Sequence, residues 1–100
     1  METMHPIKLI VSNPDIRAGR PCIAGTGVTV ADVAIAKIFH QQDPDSIAEW
    51  YDLSLSQVYA ALAYYYDHRA EIDASIQERQ RIAAEMKEKR VGSRHSLLSG

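Results

Sequence analysis

Residues Pro44 to Tyr65 read PDSIAEWYDLSLSQVYAALAYY, and the way this stretch packs decides the fold. Asp43 is a strong N-cap residue, and Pro44 after it suits the first helical position, where its missing N–H is not needed. A helix is expected from Pro44 to about Tyr51, offering Ile47, Ala48, Trp50 and Tyr51. Asp52-Leu53-Ser54 is a turn, and Ser54 with Gln57 forms a capping-box pattern that opens a further helix. Two helices crossing at a tight turn need an inward apolar residue and a small neighbour on the first. They also need apolar residues flanking the turn, and two more on the second helix to fill the angle. Ile47, Ala48, Tyr51, Leu53, Val58 and Ala61 or Leu62 occupy those places. The pattern predicts a helix-turn-helix; its alternative is an ordinary three-helix packing unit. One position departs, since Asp52 stands where glycine often makes the turn, although aspartate tolerates left-handed backbone better than most residues.

Working backwards, Thr29 or Ala31-Asp32 opens an earlier helix with an apolar face of Val33, Ala34, Ile38 and Phe39, which His40-Gln41-Gln42 ends. Before it, Ile7, Leu9 and Val11 suit a short strand. Ser12-Asn13-Pro14-Asp15 is a turn cluster. Pro21 to Ala24 and Val28 to Val30, around Gly25-Thr26-Gly27, predict a hairpin that must pack on the helices or pair with a second chain.

Working forwards, the helix after Ser54 carries one stripe of Leu55, Val58, Leu62 and Tyr65 and a second of Tyr59, Ala63 and Tyr66. Two apolar stripes are more than one small core requires. Beyond Asp67, which either caps a new helix or lies within a continuing one, Ile72, Ile76, Ala83 and Met86 mark the apolar side of a charged helix. Pairs such as Glu85 with Lys89 support its solvated side. Expected divisions are 1–30 for the strand and hairpin region, 31–67 for the helix-turn-helix core, 68–90 for the charged C-terminal helix and 91–100 for a flexible tail.

Composition limits the function. With 46% hydrophobic and 24% charged residues, the chain should fold, but much of the apolar share is alanine. The core is therefore modest, and its stability is expected to lean on self-association. A net charge of −2 argues against holding nucleic acid by bulk positive charge. The single cysteine, Cys22, permits no disulfide within one chain and reads as a small buried residue. The apolar run from Ile7 to Val11 is too short for a secretory core or a membrane span. These features predict a soluble cytoplasmic protein that does not engage a membrane.

Catalysis finds no support in the pattern. His5, His40, His68 and His95 are scattered, Cys22 has no evident base, and Asp43, Asp45 and Asp52 each have a capping or turn role. No catalytic residue, metal ligand or cofactor is expected. Arg17-Ala18-Gly19-Arg20-Pro21 through Gly25-Thr26-Gly27 lacks the lysine and hydroxyl pair of a phosphate-binding loop and reads as a tight bend. If the helix-turn-helix reads DNA, Ser54, Ser56, Gln57, Tyr59 and Ala60 lie toward the groove. No Lys or Arg occurs from Ser54 through Asp67, so phosphate charge falls to Lys8, Arg17, Arg20 or a second chain.

The run Asn13-Pro14-Asp15-Ile16, Gly19-Arg20-Pro21-Cys22-Ile23, Gly25-Thr26 and Val28-Thr29-Val30 resembles the opening signature of a bacterial domain-of-unknown-function family. Many members of that family are regarded as VapB-like antitoxins. The match continues through Ile47-Ala48-Glu49, Leu53-Ser54, Val58, Ala60-Ala61-Leu62, Tyr64-Tyr65-Tyr66 and Glu71-Ile72-Asp73, over residues 7–76. The resemblance implies a mainly α fold: a homeodomain-like helical core, short N-terminal strands and often a homodimer. It also implies a PIN-like ribonuclease toxin as partner and autoregulation through operator DNA. Gly27 replaces a usual basic residue, and His40-Gln41-Gln42-Asp43 stands where a glycine usually follows the first helix.

Three functions follow as expectations. The first is an antitoxin whose last helix lies in a groove of the toxin through Ile72, Ile76 and Met86, with Arg79, Arg81, Lys87 and Arg90 facing the nuclease's acidic metal-binding residues. The second is a DNA-binding regulator without a toxin. The third is a structural homodimer using Tyr59, Tyr64 and Tyr66. The last helix has its own alternative, capping its own domain or pairing with itself.

Overall fold

A computed structural model describes residues 2–3 and 9–99, with side chains described no further than Lys89. Ile7, Lys8 and His5 lie outside the described residues, as do the side chains of Arg90 and His95. The protein is mainly helical. Strand β1 (Ile10–Val11) is followed by a short 3-10 turn at Arg17–Gly19, strand β2 (Cys22–Ile23) and helices α1 (Val30–Ile38), α2 (Pro44–Tyr51), α3 (Leu55–Asp67) and α4 (Arg69–Ser99). Met1–Arg69 and Ala70–Gly100 form two compact units.

The helix starts are set by local chemistry. Thr29 caps α1: its side chain accepts from Asp32 N at 3.0 Å, while Thr29 N donates to Asp32 Oδ2 at 3.0 Å. Asp43 Oδ1 accepts from Ser46 N at 2.8 Å, with Pro44 in the first turn of α2. Ser54 and Gln57 close the expected capping box on α3, at 3.2 and 2.8 Å. These interactions satisfy donors that have no partner inside a helix.

Left-handed residues follow α1 and close α2. Asp52 takes φ 55° and ψ 51°. Its N–H reaches Glu49 O, and Leu53 N donates to Ala48 O at 2.8 Å, the pattern in which a helix is closed by a residue in the glycine-favoured region. Gln41, in the segment where the family resemblance would place a glycine, has φ 53°. Helix α3 stops at His68, whose N–H is shared between Tyr64 O and Tyr65 O. The helix is therefore not continuous past Asp67, and α4 starts afresh at Arg69.

The strand expectation is only partly met. The ladder pairs β1 with β2, antiparallel, Ile10 opposite Ile23 and Val11 opposite Cys22. Between Pro21–Ala24 and Val28–Val30 there is one bridge, Cys22 to Thr29, with Ile23 N donating to Val28 O and Val30 N to Pro21 O, both at 2.9 Å. The second arm ends at once because Thr29 and Val30 are already committed to starting α1.

Around these elements the first unit buries Cys22, Ile23, Val30, Ala31, Val33, Ala34, Ala36, Ile47, Val58, Ala61, Leu62 and Tyr65. Helix α3 contacts α1, α2 and both strands, so its inward side is the floor of the core. Three expected core residues are corrected: Ile38, Phe39 and Leu55 are exposed by 41%, 54% and 45%. Ile38 and Phe39 close the last turn of α1, after its burial by Val30 to Ala36 is complete. Leu55 is the first residue of α3 and lies off the inward arc of Val58, Ala61, Leu62 and Tyr65.

In the second unit, α4 runs through Gly92 to Ser99. A lone glycine costs a helix only about 1 kcal/mol. Ile72 and Ile76 are buried, Ile82 and Met86 exposed. Arg81 bridges Glu78 and Glu85, the latter at 2.6 Å. Its guanidinium holds the Glu78 carboxyl below the usual range, and its own pKa is raised by the same contact.

Candidate functional site

Helix α3 has an inward arc and an outward one, separated by its 3.6-residue period. The outward arc holds Leu55, Tyr59, Ala63 and Tyr66, spaced i, i+4, i+8 and i+11, and all are exposed. Tyr59 and Tyr66 keep 56% and 52% of their surface. This is the second stripe expected from the sequence, joined by Leu55. Trp50 on α2 is exposed by 74%. The row keeps apolar side chains in solvent on a helix whose inward arc already fills the core.

Charge on these two helices is one-sided. From Asp43 to Asp67 there are five acidic residues, Asp43, Asp45, Glu49, Asp52 and Asp67, and no Lys or Arg. Asp43 has its carboxyl held below the usual range by the hydrogen bonds it accepts from Ser46.

The candidate DNA-contact residues divide accordingly. Ser54 Oγ and Gln57 Oε1 are engaged as acceptors in their own capping box. Ser56 and Tyr59 are exposed. Arg17 turns to Asp32 at 3.8 Å, with Arg17 left-handed at φ 50° and Ala18 at φ 58°. Arg20 is exposed in the segment that leads to β2. None of these gives α3 a cation of its own. Of the candidate toxin contacts, Met86 is 64% exposed and Arg79 half-buried, whereas Ile72 and Ile76 retain only 6% and 3% of their surface. The Arg90 side chain lies outside the described residues.

On the far flank of α3, Ile10 of β1 meets Ala60, Ala63, Tyr64 and Asp67 around an open cleft of about 280 Å³. The helical spacing of the last four is legible in the sequence, but the arrival of Ile10 is not, because it depends on the β1–β2 pairing. The Tyr64 and His68 rings stack at 4.0 Å, and His68 Nδ1 lies 3.1 Å from Tyr64 O, where it can only donate. Cys22 is buried, its Sγ donating to Arg20 O at 3.2 Å. Among the described residues no group of three or more His, Cys, Asp or Glu is placed to hold a metal ion, and no helix is long and apolar enough to cross a membrane.

One family model matches the chain, over residues 10–65: the family described as "Protein of unknown function (DUF433)". The match spans the two strands, α1, α2 and α3 to Tyr65. No curated protein and no solved structure matches the chain.

Proposed function

The chain belongs to the DUF433 family, and we propose that it is a non-catalytic, antitoxin-like binding protein that neutralises a PIN-like ribonuclease. The observation that carries the proposal is the outward arc of α3, where Leu55, Tyr59 and Tyr66 stand exposed on a segment without a single cation. Aromatic side chains supply contact area at protein interfaces, whereas a helix that enters a DNA groove needs positive charge at or beside it. On α4, Ile82 and Met86 add exposed apolar surface, and exposed Lys87 offers a cation for the acidic metal-binding residues of such a nuclease. Ile72 and Ile76, being buried, are assigned a structural part.

Co-expression with the product of the adjacent reading frame tests this. The pair is expected to purify together, and growth arrested by the ribonuclease alone is expected to recover. Absence of both association and rescue overturns the proposal.

A second reading, binding to operator DNA, is favoured by one observation: α2 and α3 are joined by a short turn closed by Asp52 and Ser54, the connection a helix-turn-helix uses. Its cations would come from Arg17 and Arg20 of a homodimer. It predicts retardation of the promoter fragment with steep salt dependence, and no retardation at low salt by a proven dimer removes it.

A further inference from the structure

The outward arc of α3 is apolar along its length and acidic at both ends. Leu55, Tyr59, Ala63 and Tyr66 form the row; Asp52 precedes it and Asp67 closes it. Asp45 and Glu49, exposed on the preceding helix, add to the same sign. A second copy meeting this face with its own would bring these four carboxylates against four, with no Lys or Arg between Asp43 and Asp67 in either copy. A nucleic acid would bring phosphates against the same carboxylates. The complementary surface is cationic, with an apolar or aromatic-accepting centre.

A protein surface of that kind is one that holds single-stranded RNA. Such surfaces track the backbone with Lys and Arg and accept the flat faces of bases. Resting on the ribonuclease reading above, we infer that the α2–α3 face covers the cationic RNA-holding surface of the partner. Inhibitor and RNA then compete for the same ground. The carboxylates of Asp45, Glu49, Asp52 and Asp67 meet the cations that phosphates would meet, and the rings of Tyr59 and Tyr66 lie where bases would stack. Inhibition needs no contact with the reacting atoms.

Two probes test this on the full chain. The first is a labelled amphipathic helical peptide of Leu and Lys, followed by fluorescence anisotropy, with a Leu and Glu peptide of equal length as control. Binding of the Lys peptide alone, weakened tenfold or more by Tyr59→Ala and by the double change Asp45→Lys with Glu49→Lys, is expected. All three positions are exposed, and unchanged circular dichroism and melting of the variants show that the fold persists. Equal binding of both peptides, or no effect of the variants, overturns the inference.

The second probe is the ribonuclease encoded beside the chain, titrated with and without a 2′-O-methyl RNA oligonucleotide that it cannot cleave. The oligonucleotide is expected to raise the apparent Kd in proportion to its concentration. If the complex forms but neither the oligonucleotide nor the variants weaken it, the inference fails while the proposed function stands. If no complex forms while the peptide result holds, the proposed function fails and the face remains a site for cationic partners. Tighter binding of duplex DNA than of the Lys peptide, or loss of a dimer on Tyr59→Ala, overturns the inference in favour of nucleic acid or of a second copy.

Discussion

Replacing Asp52 by glycine should stabilise the protein, an outcome contrary to the usual effect of introducing glycine. Asp52 sits at φ 55° and ψ 51°, and its N–H and that of Leu53 close the end of α2. An L-residue pays roughly 1–2 kcal/mol to adopt this region, with aspartate at the lower end. Glycine removes that strain but loses about 0.5–1 kcal/mol through the greater freedom of its unfolded chain. The difference leaves Asp52→Gly more stable by at most about 0.5 kcal/mol, an upper limit near 2–4 °C in Tm for a domain of this size. Asp52→Asn keeps the left-handed tolerance without the charge and should fall within about 0.5 kcal/mol of the parent. Asp52→Val, β-branched and ill-suited to positive φ, should lose about 1–2 kcal/mol or more. Urea denaturation of the three variants, with unchanged m-values, reads these differences as shifts in midpoint. If glycine destabilises by about 1 kcal/mol or more while valine is neutral, the turn is not held as described, and the crossing of α2 and α3 must be rebuilt on other grounds.

Other outcomes follow from the same structure. Ile47→Ala, at a fully buried position, should cost about 2–5 kcal/mol, enough to leave a chain with a small core partly unfolded at growth temperature; thermal melting checks it. Ser54→Ala removes the side-chain half of the α3 capping box and should cost about 0.5–2 kcal/mol, read by the same melts, with Ser54→Asp retaining most of the stability. Asp43 is a carboxylate whose folded-state pKa is depressed by bonds from Ser46, so its contribution is present above its unfolded pKa of about 3.9 and is lost as pH falls through the folded value. Asp43→Asn preserves the cap without titrating. Urea midpoints measured from pH 6 down to about pH 3 should then fall less steeply for Asp43→Asn than for the parent.

What was legible in the sequence was what is decided locally. The caps at Thr29, Asp43 and Ser54 each complete their bonds within three residues, so a short pattern suffices to read them. Ile47, Val58, Leu62 and Tyr65 obey the helical period against a single inward direction, and all four are buried. The surplus stripe on α3 was visible for the same reason, as apolar residues with no core left to enter. The β1–β2 pairing was not legible, because it joins residues on either side of a left-handed turn, and Arg17 and Ala18 are not residue types that announce positive φ. The exposure of Ile38, Phe39 and Leu55 also escaped the pattern, since periodicity assigns a face to a residue but does not say how far along the helix the neighbouring element reaches.

One threonine has a kinetic consequence. Thr29 is wholly buried; it lies opposite Cys22 across the bridge, and its side chain holds the first turn of α1 through Asp32, the same carboxylate that Arg17 approaches. The strand-side bridge and the start of the first helix meet at this one residue, so their opening is expected to be coupled. The amide protons of Ile23, Val30 and Asp32 should therefore exchange with solvent at a common rate, set by one concerted opening rather than by independent fraying.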